Sequence, residues 1–379
     1  MKGFGDFMKK KVLVFITIIL AIFLVLGIMY AIDMYMMKYN KPVVFSTWGY
    51  QYCPPVEAKF SSTEGITTAL TLEDEIQNDI IWCGTFQLIW NDMKNDIIKG
   101  DIEFEPQIEV VKNLNKETFK EDDISEEYYY KIVGTPSYEL KEEIEKAIKD
   151  KFNETSEILD DFNWENKEEN DYFLYAMLKK EFQFVKAFEE FENGKFGDYE
   201  NIKYFGIKED PTRELNGQVK VLYYNSKDDF AIKLLTKQED EVILCKNPEG
   251  KTFNEILENI KEQEKDYEGS KALKTDELVK IPNIKLKEKT EFTELENKPF
   301  ANYLSDVRIE TAIQAIEFEL NREGGKVKSE AGIMMNLSDS FEPVKREFSI
   351  DDTFAIFLIE EDKDTPYFAA KINDITKFQ

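Results

Sequence analysis

Histidine, the side chain that most enzymes use to move protons, is absent from this chain of 379 residues. Without an imidazole, neither a Ser-His-Asp nor a Cys-His relay can be built. Zinc and copper sites that depend on histidine ligands are excluded as well. Carboxylates are abundant, but no phosphate-binding loop, nucleophile elbow or metal-ligand cluster accompanies them. We therefore expect a protein with no catalytic residues, no metal and no cofactor, rather than an enzyme.

The three cysteines, Cys53, Cys83 and Cys245, are the remaining candidates for covalent or redox chemistry. They are widely spaced and odd in number, and none belongs to a Cys-X-X-Cys pattern. We expect unpaired thiols in or near the core. A Cys53–Cys83 or a Cys83–Cys245 disulfide is the alternative in an oxidising compartment.

The overall charge limits the partners. Lys plus Arg number 49 and Asp plus Glu number 76, which gives a formal net charge of −27. A chain this acidic repels the phosphate backbone of DNA and RNA. We therefore expect no nucleic-acid partner. Hydrophobic residues nevertheless make up 42% of the chain and aromatic residues 13%, which is enough for a large core and argues against disorder.

A basic start precedes a long apolar run near the N-terminus. Lys9, Lys10 and Lys11 are followed by an uncharged run over residues 12–32. A transmembrane helix needs ~20 apolar residues, whereas a signal-peptide core has ~7–15. The run therefore predicts an uncleaved signal anchor, with a cleaved signal peptide as the alternative. The positive-inside rule places the N-terminus in the cytoplasm and the rest of the chain outside the cell.

These signals divide the chain into four parts. We expect a basic cytoplasmic tail over residues 1–11 and a transmembrane helix over 12–32. An extracellular connector containing the only Pro-Pro pair follows over 33–60, because proline breaks regular structure. Residues 61–379 are expected to form one large domain.

The hydrophobic pattern of that domain mixes helices with strands. Apolar residues recur at helical spacing over 140–152 behind Ser137, and over 253–260 behind a capping-box pattern of Thr252 and Glu255. Short strands are predicted over 171–178, 219–224, 230–235 and 316–320, and a strand buried on both faces over 354–359. Helices and strands without regular βαβ alternation indicate an α+β fold.

Five segments in order resemble the serpin family of protease inhibitors: 172–188, 233–260, 280–294, 315–325 and 348–372. In the last of them, FSIDDTFAIFLIEEDKDTPYFAAKI, Asp-Thr-Pro stands before an aromatic residue and Ala-Lys-Ile closes the segment. The resemblance runs from Asp171 to the end of the chain. Residues 61–170 match only loosely, with 78–85 at the place of the family's buried N-terminal strand and helix. The resemblance implies a serpin-like domain of several sheets and helices with an exposed reactive-centre loop.

The same resemblance implies a mechanism. A loop over Gly324–Arg346 is offered as bait to an extracellular serine or cysteine protease, and after cleavage its hinge inserts into the main sheet as a new strand. An inserted strand alternates between core and solvent. Counted from Gly324, the inward hinge positions are small or apolar: Gly325, Val327, Ser329 and Ala331. A shift of one residue would bury two lysines. An ordinary exposed loop that happens to alternate is the other interpretation.

Counting from either end of the loop gives a candidate scissile region formed by Ser338, Asp339, Ser340, Phe341 and Glu342. Phe341 suits a protease with a hydrophobic specificity pocket, and Glu342 suits a Glu-specific one. The sequence does not select between them.

Two positions depart from the inhibitory pattern. The tryptophan that serpins carry at the breach, the end of the main sheet where the hinge enters, is replaced by Phe184. The histidine of the shutter, the hydrogen-bonded region that controls sheet opening, is replaced by Gln314, and no matching serines are evident over residues 82–86. A non-inhibitory serpin-fold binding module at the cell surface is therefore the alternative hypothesis.

Overall fold

The computed structural model describes residues 64–165, 171–208, 213–238, 240–302, 307–325 and 345–379. The predicted anchor at 12–32, the connector at 33–60 and Cys53 lie outside these ranges. Within them, no helix is both long enough and apolar enough to span a bilayer. Residues 61–379 form one compact unit.

The described residues contain five α-helices, which are α1 (Thr85–Asp92), α2 (Glu109–Leu114), α3 (Tyr138–Phe152), α4 (Arg213–Gly217) and α5 (Phe253–Asp266). A π-helical segment, Met93–Ile98, continues α1, and single 3-10 turns occur at Glu121–Asp123, Glu126–Tyr128, Leu159–Asp161 and Ile375–Phe378.

The strands of the same ranges are β1 (Ile66–Thr68), β2 (Asp79–Cys83), β3 (Tyr129–Gly134), β4 (Phe173–Leu178), β5 (Phe182–Gln183), β6 (Glu189–Glu190), β7 (Gly194–Phe196), β8 (Tyr199–Ile202), β9 (Tyr204–Ile207), β10 (Val219–Ser226), β11 (Asp229–Leu235), β12 (Asp240–Lys246), β13 (Leu278–Pro282), β14 (Ile284–Glu291), β15 (Ile313–Leu320), β16 (Gly324–Gly325), β17 (Glu347–Ser349), β18 (Phe354–Glu360) and β19 (Phe368–Ile372). The predicted α+β class with several sheets is confirmed.

Both predicted helix starts are present, with one difference. The Ser137 hydroxyl accepts a hydrogen bond from Leu140 N at 3.1 Å and begins α3. The Thr252 hydroxyl accepts from Glu255 N at 3.1 Å and begins α5. The Glu255 carboxylate, however, accepts from Lys251 N rather than from Thr252 N. Only half of the capping box is therefore formed, because Glu255 satisfies the amide one residue earlier.

The largest sheet has seven strands in the order β1-β2-β19-β18-β12-β11-β10. Its central pair, β12 and β18, is antiparallel and in register, with Leu244 opposite Ile356. Six consecutive residues of β18, Phe354–Ile359, are buried, as expected for a strand covered on both faces. A four-stranded sheet, β17-β13-β9-β6, adjoins it in the same core.

Two antiparallel ribbons, β3–β4 and β14–β15, lie apart from these sheets. The face of β4 that carries Phe173 and Tyr175 packs with the apolar residues of α3. Leu178, near the end of β4, packs against the main core instead. In β15 the predicted alternation is confirmed, since Ile316, Phe318 and Leu320 are buried and Glu317 and Glu319 are exposed.

Two cysteines fall within the described residues, and both are free thiols. Cys245 is buried in β12, and Cys83 ends β2 in a half-buried position. The alternative of a Cys83–Cys245 disulfide is therefore wrong, and the prediction of unpaired thiols is confirmed for these two.

Candidate functional site

The free edges of β4 and β15 are the first element of the candidate site. In the described ranges β4 pairs only with β3, and β15 pairs only with β14. One edge of each strand therefore has backbone N–H and C=O groups outside any ladder. Both ribbons rest on α1, because α1 packs against β3 and β4, and Gln314 of β15 reaches Thr85 in its first turn. The two edges thus share a support without sharing backbone hydrogen bonds.

The predicted hinge lies just beyond the C-terminal ends of β4 and β15. Gly324 and Gly325 form β16, which pairs antiparallel with β5, so that Gly324 lies opposite Gln183 and Gly325 opposite Phe182. Gly324 has φ of +119°, and a Cβ there would lie 2.5 Å from the Phe182 carbonyl oxygen. Glycine is required at this position both by the backbone conformation and by the close approach of β5.

Phe184, the residue at the breach position, lies directly beside this hinge. Its backbone N–H donates to the Glu323 carbonyl at 3.1 Å. Its ring is 1% exposed and makes an edge contact with Phe188, with the ring centres 4.7 Å apart. The structure therefore brings Phe184 and Gly324 together. Unlike the indole of a tryptophan, the phenyl ring has no N–H group to donate. Phe184 is therefore linked to the hinge by its backbone N–H, which donates to Glu323.

Gln314, at the shutter position, is buried in β15. Its side chain makes hydrogen bonds to the start of α1. Its side-chain amide donates to the Thr85 hydroxyl at 2.7 Å and to the Cys83 carbonyl at 3.0 Å. A second hydroxyl pair, Thr68 and Thr290, lies nearby at 2.7 Å, and Thr290 is the ladder partner of Gln314. Thr85 was not predicted from the sequence, because the expected residue type at this place was serine. The signal available was a hydroxyl residue immediately after Gly84.

The far end of the loop is held by Arg346, which the sequence analysis counted as the last loop residue. Its Nε and Nη2 donate to the two carboxylate oxygens of Glu277 at 2.7 and 2.8 Å. Its other N–H groups donate to the Tyr267 hydroxyl and to the carbonyls of Ser270 and Ala272. All five donors of the guanidinium are satisfied, so Arg346 anchors the end of the predicted loop in the fold.

The remaining predicted site residues lie outside the described ranges. These are the hinge positions Val327, Ser329 and Ala331 and the candidate scissile residues Ser338, Asp339, Ser340, Phe341 and Glu342. In the part of the chain that the structure does describe, no group of three or more Cys, Asp or Glu side chains is arranged to hold a metal ion.

Comparison with known proteins found no matching family model and no match among curated proteins. Similar solved structures were found. Thyroxine-binding globulin in complex with thyroxine shares 10% identity at a TM-score of 0.45, covering 79% of this chain and 93% of that one. The thermophilic serpin tengpin in its native state shares 11% at 0.48, covering 80% and 90%. Serpin48 of the insect Tenebrio molitor shares 12% at 0.40, covering 78% and 92%. All three are serpins, the family that the sequence resembles, and at these identities the likeness concerns the fold alone.

Proposed function

We propose that this chain is a membrane-anchored, extracellular serpin-like protein that inhibits a protease with a bait loop leaving the fold at Gly325 and returning at Lys345. The observation that carries the proposal is the antiparallel pairing of Gly324 and Gly325 with β5. This pairing starts a strand just beyond the C-terminal ends of β4 and β15, each of which has a free edge. A cleaved loop that continued in the same direction would pair with these edges by strand addition.

The register of this pairing predicts where each hinge residue would lie. Because Gly325 is opposite Phe182, an unbroken antiparallel strand places Val327 opposite Lys180 and Ser329 opposite Leu178. Ala331 would lie opposite Ala176. Residues opposite one another in an antiparallel pair share a face of the sheet.

The faces agree with the chemistry of the hinge. Leu178 packs against the main core, and the Lys180 side chain is also buried, whereas Tyr175 and Met177 belong to the α3 side. The positions opposite the core-facing residues are therefore Val327, Ser329 and Ala331, the small or apolar set chosen from the sequence. Lys326 would fall opposite Glu181, a favourable cross-strand pair.

Anchoring of Arg346 supports the same proposal from the other end. Protease cleavage anywhere over residues 326–344 separates a hinge side from an anchored side. The anchored side remains attached through the Arg346–Glu277 pair and through β17, which pairs with β13. The hinge side is then free to move without carrying the four-stranded sheet with it.

Incubating the full chain in mild detergent with chymotrypsin, a Glu-specific protease and a papain-like protease tests the inhibitory mechanism. The expected result is an SDS-resistant complex with at least one of them, and a rise in the melting temperature of the cleaved chain. Cleavage without a complex and without a gain in melting temperature would refute inhibition. That outcome would favour the alternative, a non-inhibitory binding module at the cell surface.

A matched pair of variants tests the register. Ala331→Glu places a carboxylate toward the core, so it should convert the inhibitor into a substrate that is cut without forming the complex. Lys328→Glu introduces the same side chain on the α3 side, opposite Lys179, and should leave complex formation close to that of the wild type. Equal effects of the two changes would contradict the proposed parity.

The membrane anchor is tested separately. The apolar run at 12–32 should keep the full chain in the membrane fraction after alkaline carbonate washing. Protease added to intact cells should degrade the domain at 61–379. A chain in which three residues of the run are replaced by lysine is the control and should be released. Recovery of the wild-type chain in the carbonate supernatant would overturn this part of the proposal.

A further inference from the structure

A buried ionic cluster lies directly beyond the end of β4, two residues before the strand that pairs with the hinge. Lys180 Nζ lies 2.9 Å from an Asp240 carboxylate oxygen and 3.4 Å from Glu360 Oε2. The side chains of Lys180 and Asp240 are 1% and 0% exposed. Asp240 begins β12 and Glu360 ends β18, so one lysine joins the segment after β4 to the two central strands of the seven-stranded sheet.

Two tyrosine rings lie against this cluster. The Tyr128 ring lies 3.9 Å from Lys180 Nζ, and the Tyr367 ring lies 5.5 Å away. Within the described residues, neither carboxylate oxygen of Asp240 accepts a well-aligned hydrogen bond. Its buried charge is therefore compensated chiefly by the nearby ammonium group, with the Tyr367 hydroxyl as a weaker partner, an arrangement that is costly when the charges do not balance.

The charges in the cluster do not balance at neutral pH. Besides Lys180 and Asp240, the titratable groups that face it are Glu360 from β18, Tyr128 from the 3-10 turn Glu126–Tyr128, and Tyr367 before β19. Cys83 of β2 lies beyond Tyr367. The tyrosines stay neutral, because burial raises both of their pKa values. One cation thus faces two carboxylates, and their sum is −1 when both are ionised.

The two carboxylates differ in how readily they take up a proton. Burial, together with a smaller contribution from the Glu360 charge, raises the pKa of Asp240 to about 6 against the opposing effects of Lys180 and Tyr367. Burial acts in the same direction on Glu360, but hydrogen bonds from Ser125 and the charge of Lys180 outweigh it, so the pKa of Glu360 lies below its ordinary value. Asp240 is therefore the group that gains a proton, and its protonation leaves a neutral Lys180–Glu360 pair.

We propose that Lys180, Asp240 and Glu360 form a proton-controlled latch that holds the end of β4 on the seven-stranded sheet in acid and loosens it at neutral pH. When the latch opens, water reaches Asp240 and its affinity for protons falls to that of an ordinary carboxyl. The closed state thus binds the proton more tightly, and acid favours closure. As pH rises from the open-state pKa near 3.8 to the closed-state pKa of about 6, closure weakens up to tenfold per unit, or about 100-fold in all.

The position of the latch gives it a consequence that rests on the proposed function. If the register of the Gly325–Phe182 pair continued, Val327 would lie opposite Lys180, and an inserting strand would pass the latch at its second inward residue. Loosening the end of β4 at neutral pH lets this edge adjust to the new strand. Acid would hold β4 in place and slow insertion.

Amide hydrogen exchange of the uncut full chain tests the latch without any protease. Protection factors at residues 173–180 are compared at about pH 5 and about pH 8, so that the intrinsic pH dependence of exchange is removed. In the wild type we expect protection to be at least about tenfold higher at the lower pH. In Asp240→Asn, which keeps the shape and cannot ionise, we expect equal protection at both. Glu241→Gln is the matched control on the same strand: Glu241 pairs with Lys233 outside the cluster, and this variant should retain the wild-type pH dependence.

A second variant, Glu360→Gln, keeps the latch testable if Asp240→Asn does not fold. Glu360→Gln removes one cause of the raised pKa of Asp240, so the midpoint of the protection change should move to lower pH. Protection in the wild type that does not vary with pH would overturn the latch, and so would a pH dependence that persists in Asp240→Asn. Either result would contradict the latch without contradicting the proposed protease inhibition. A failure to inhibit proteases would contradict the proposed function without contradicting the latch.

Discussion

The Gln314 side chain donates a 2.7 Å hydrogen bond to the Thr85 hydroxyl across 229 residues of sequence. This contact fastens β15 to the first turn of α1, the helix that also supports β4. Because Gln314 donates to the Cys83 carbonyl as well, a single amide group links the strand to two consecutive parts of the β2–α1 connection. Glutamine and threonine thus form a buried cross-link between β15 and the start of α1.

Replacing Thr85 with valine should weaken this link without opening a cavity. Valine keeps the shape of threonine but cannot accept, so the buried Gln314 amide retains only the Cys83 carbonyl. We expect the free energy of unfolding to fall by about 1–2 kcal/mol, measured from urea denaturation. Thr293→Val, at an exposed position, is the control and should change it by less than about 0.5 kcal/mol. Equal stabilities of the two variants would contradict a structural role for the Gln314–Thr85 bond.

The elements of the fold could be predicted because their signals are local. Ser137 before α3, Thr252 before α5 and the buried run of β18 each depend on neighbouring residues. The parity of the hinge followed from the same kind of reasoning, since two-residue alternation is a property of a single strand.

The tertiary contacts of the candidate site could not be predicted, because each depends on partners far apart in sequence. Arg346 and Glu277 are 69 residues apart, and neither stands in a pattern that marks a buried pair. In the sequence, nothing distinguishes the buried Lys180 from its more exposed neighbour Lys179. Its burial depends on β12 and β18 passing beneath it, which no local pattern indicates.

Replacing Arg346 with methionine should be among the most damaging single changes near the loop. Glu277 is 1% exposed at its side chain, so the change would leave a buried carboxylate without its cation. We expect a loss of about 3–5 kcal/mol in the free energy of unfolding. Arg346→Lys keeps the charge but not the paired geometry and should fall between this variant and the wild type. The melting temperatures of the two variants and of the wild type, compared by thermal unfolding, check this order of stability.

The control for the Arg346 change is Arg322→Met. Arg322 lies 3.8 Å from Glu190 with 40% of its side chain exposed, so its loss should cost less than about 1 kcal/mol. If both variants melted at the same temperature, the anchoring role of Arg346 would be wrong.

Replacing Gly324 with alanine should disturb the hinge itself. The new Cβ would meet the Phe182 carbonyl oxygen and the Gln183 Cα at 2.5 and 2.6 Å, in a backbone conformation that alanine avoids. We expect a cost of about 1–3 kcal/mol and faster amide exchange at Phe184, whose N–H donates to Glu323. Gly100→Ala has open space around the added methyl group and is the matched control. Unchanged exchange at Phe184 in the Gly324 variant would show that the β16–β5 pairing does not depend on glycine.

The thiol of Cys245 should be unreactive while the protein is folded. Burial raises its pKa from 9.0 to about 12, and Tyr223 lies against the sulfur at 3.3 Å. At a fixed pH below both values, the thiolate fraction is then about 1000-fold smaller than that of an unperturbed thiol. A Cys53→Ser, Cys83→Ser chain, in which Cys245 is the only thiol, should therefore react with a disulfide reagent only after unfolding in urea. In the Cys53→Ser chain, unfolded without reductant, two thiols should react with the reagent. A count of zero would mean that Cys83 and Cys245 are bonded to each other, and rapid reaction of the folded chain would mean that β12 opens to solvent.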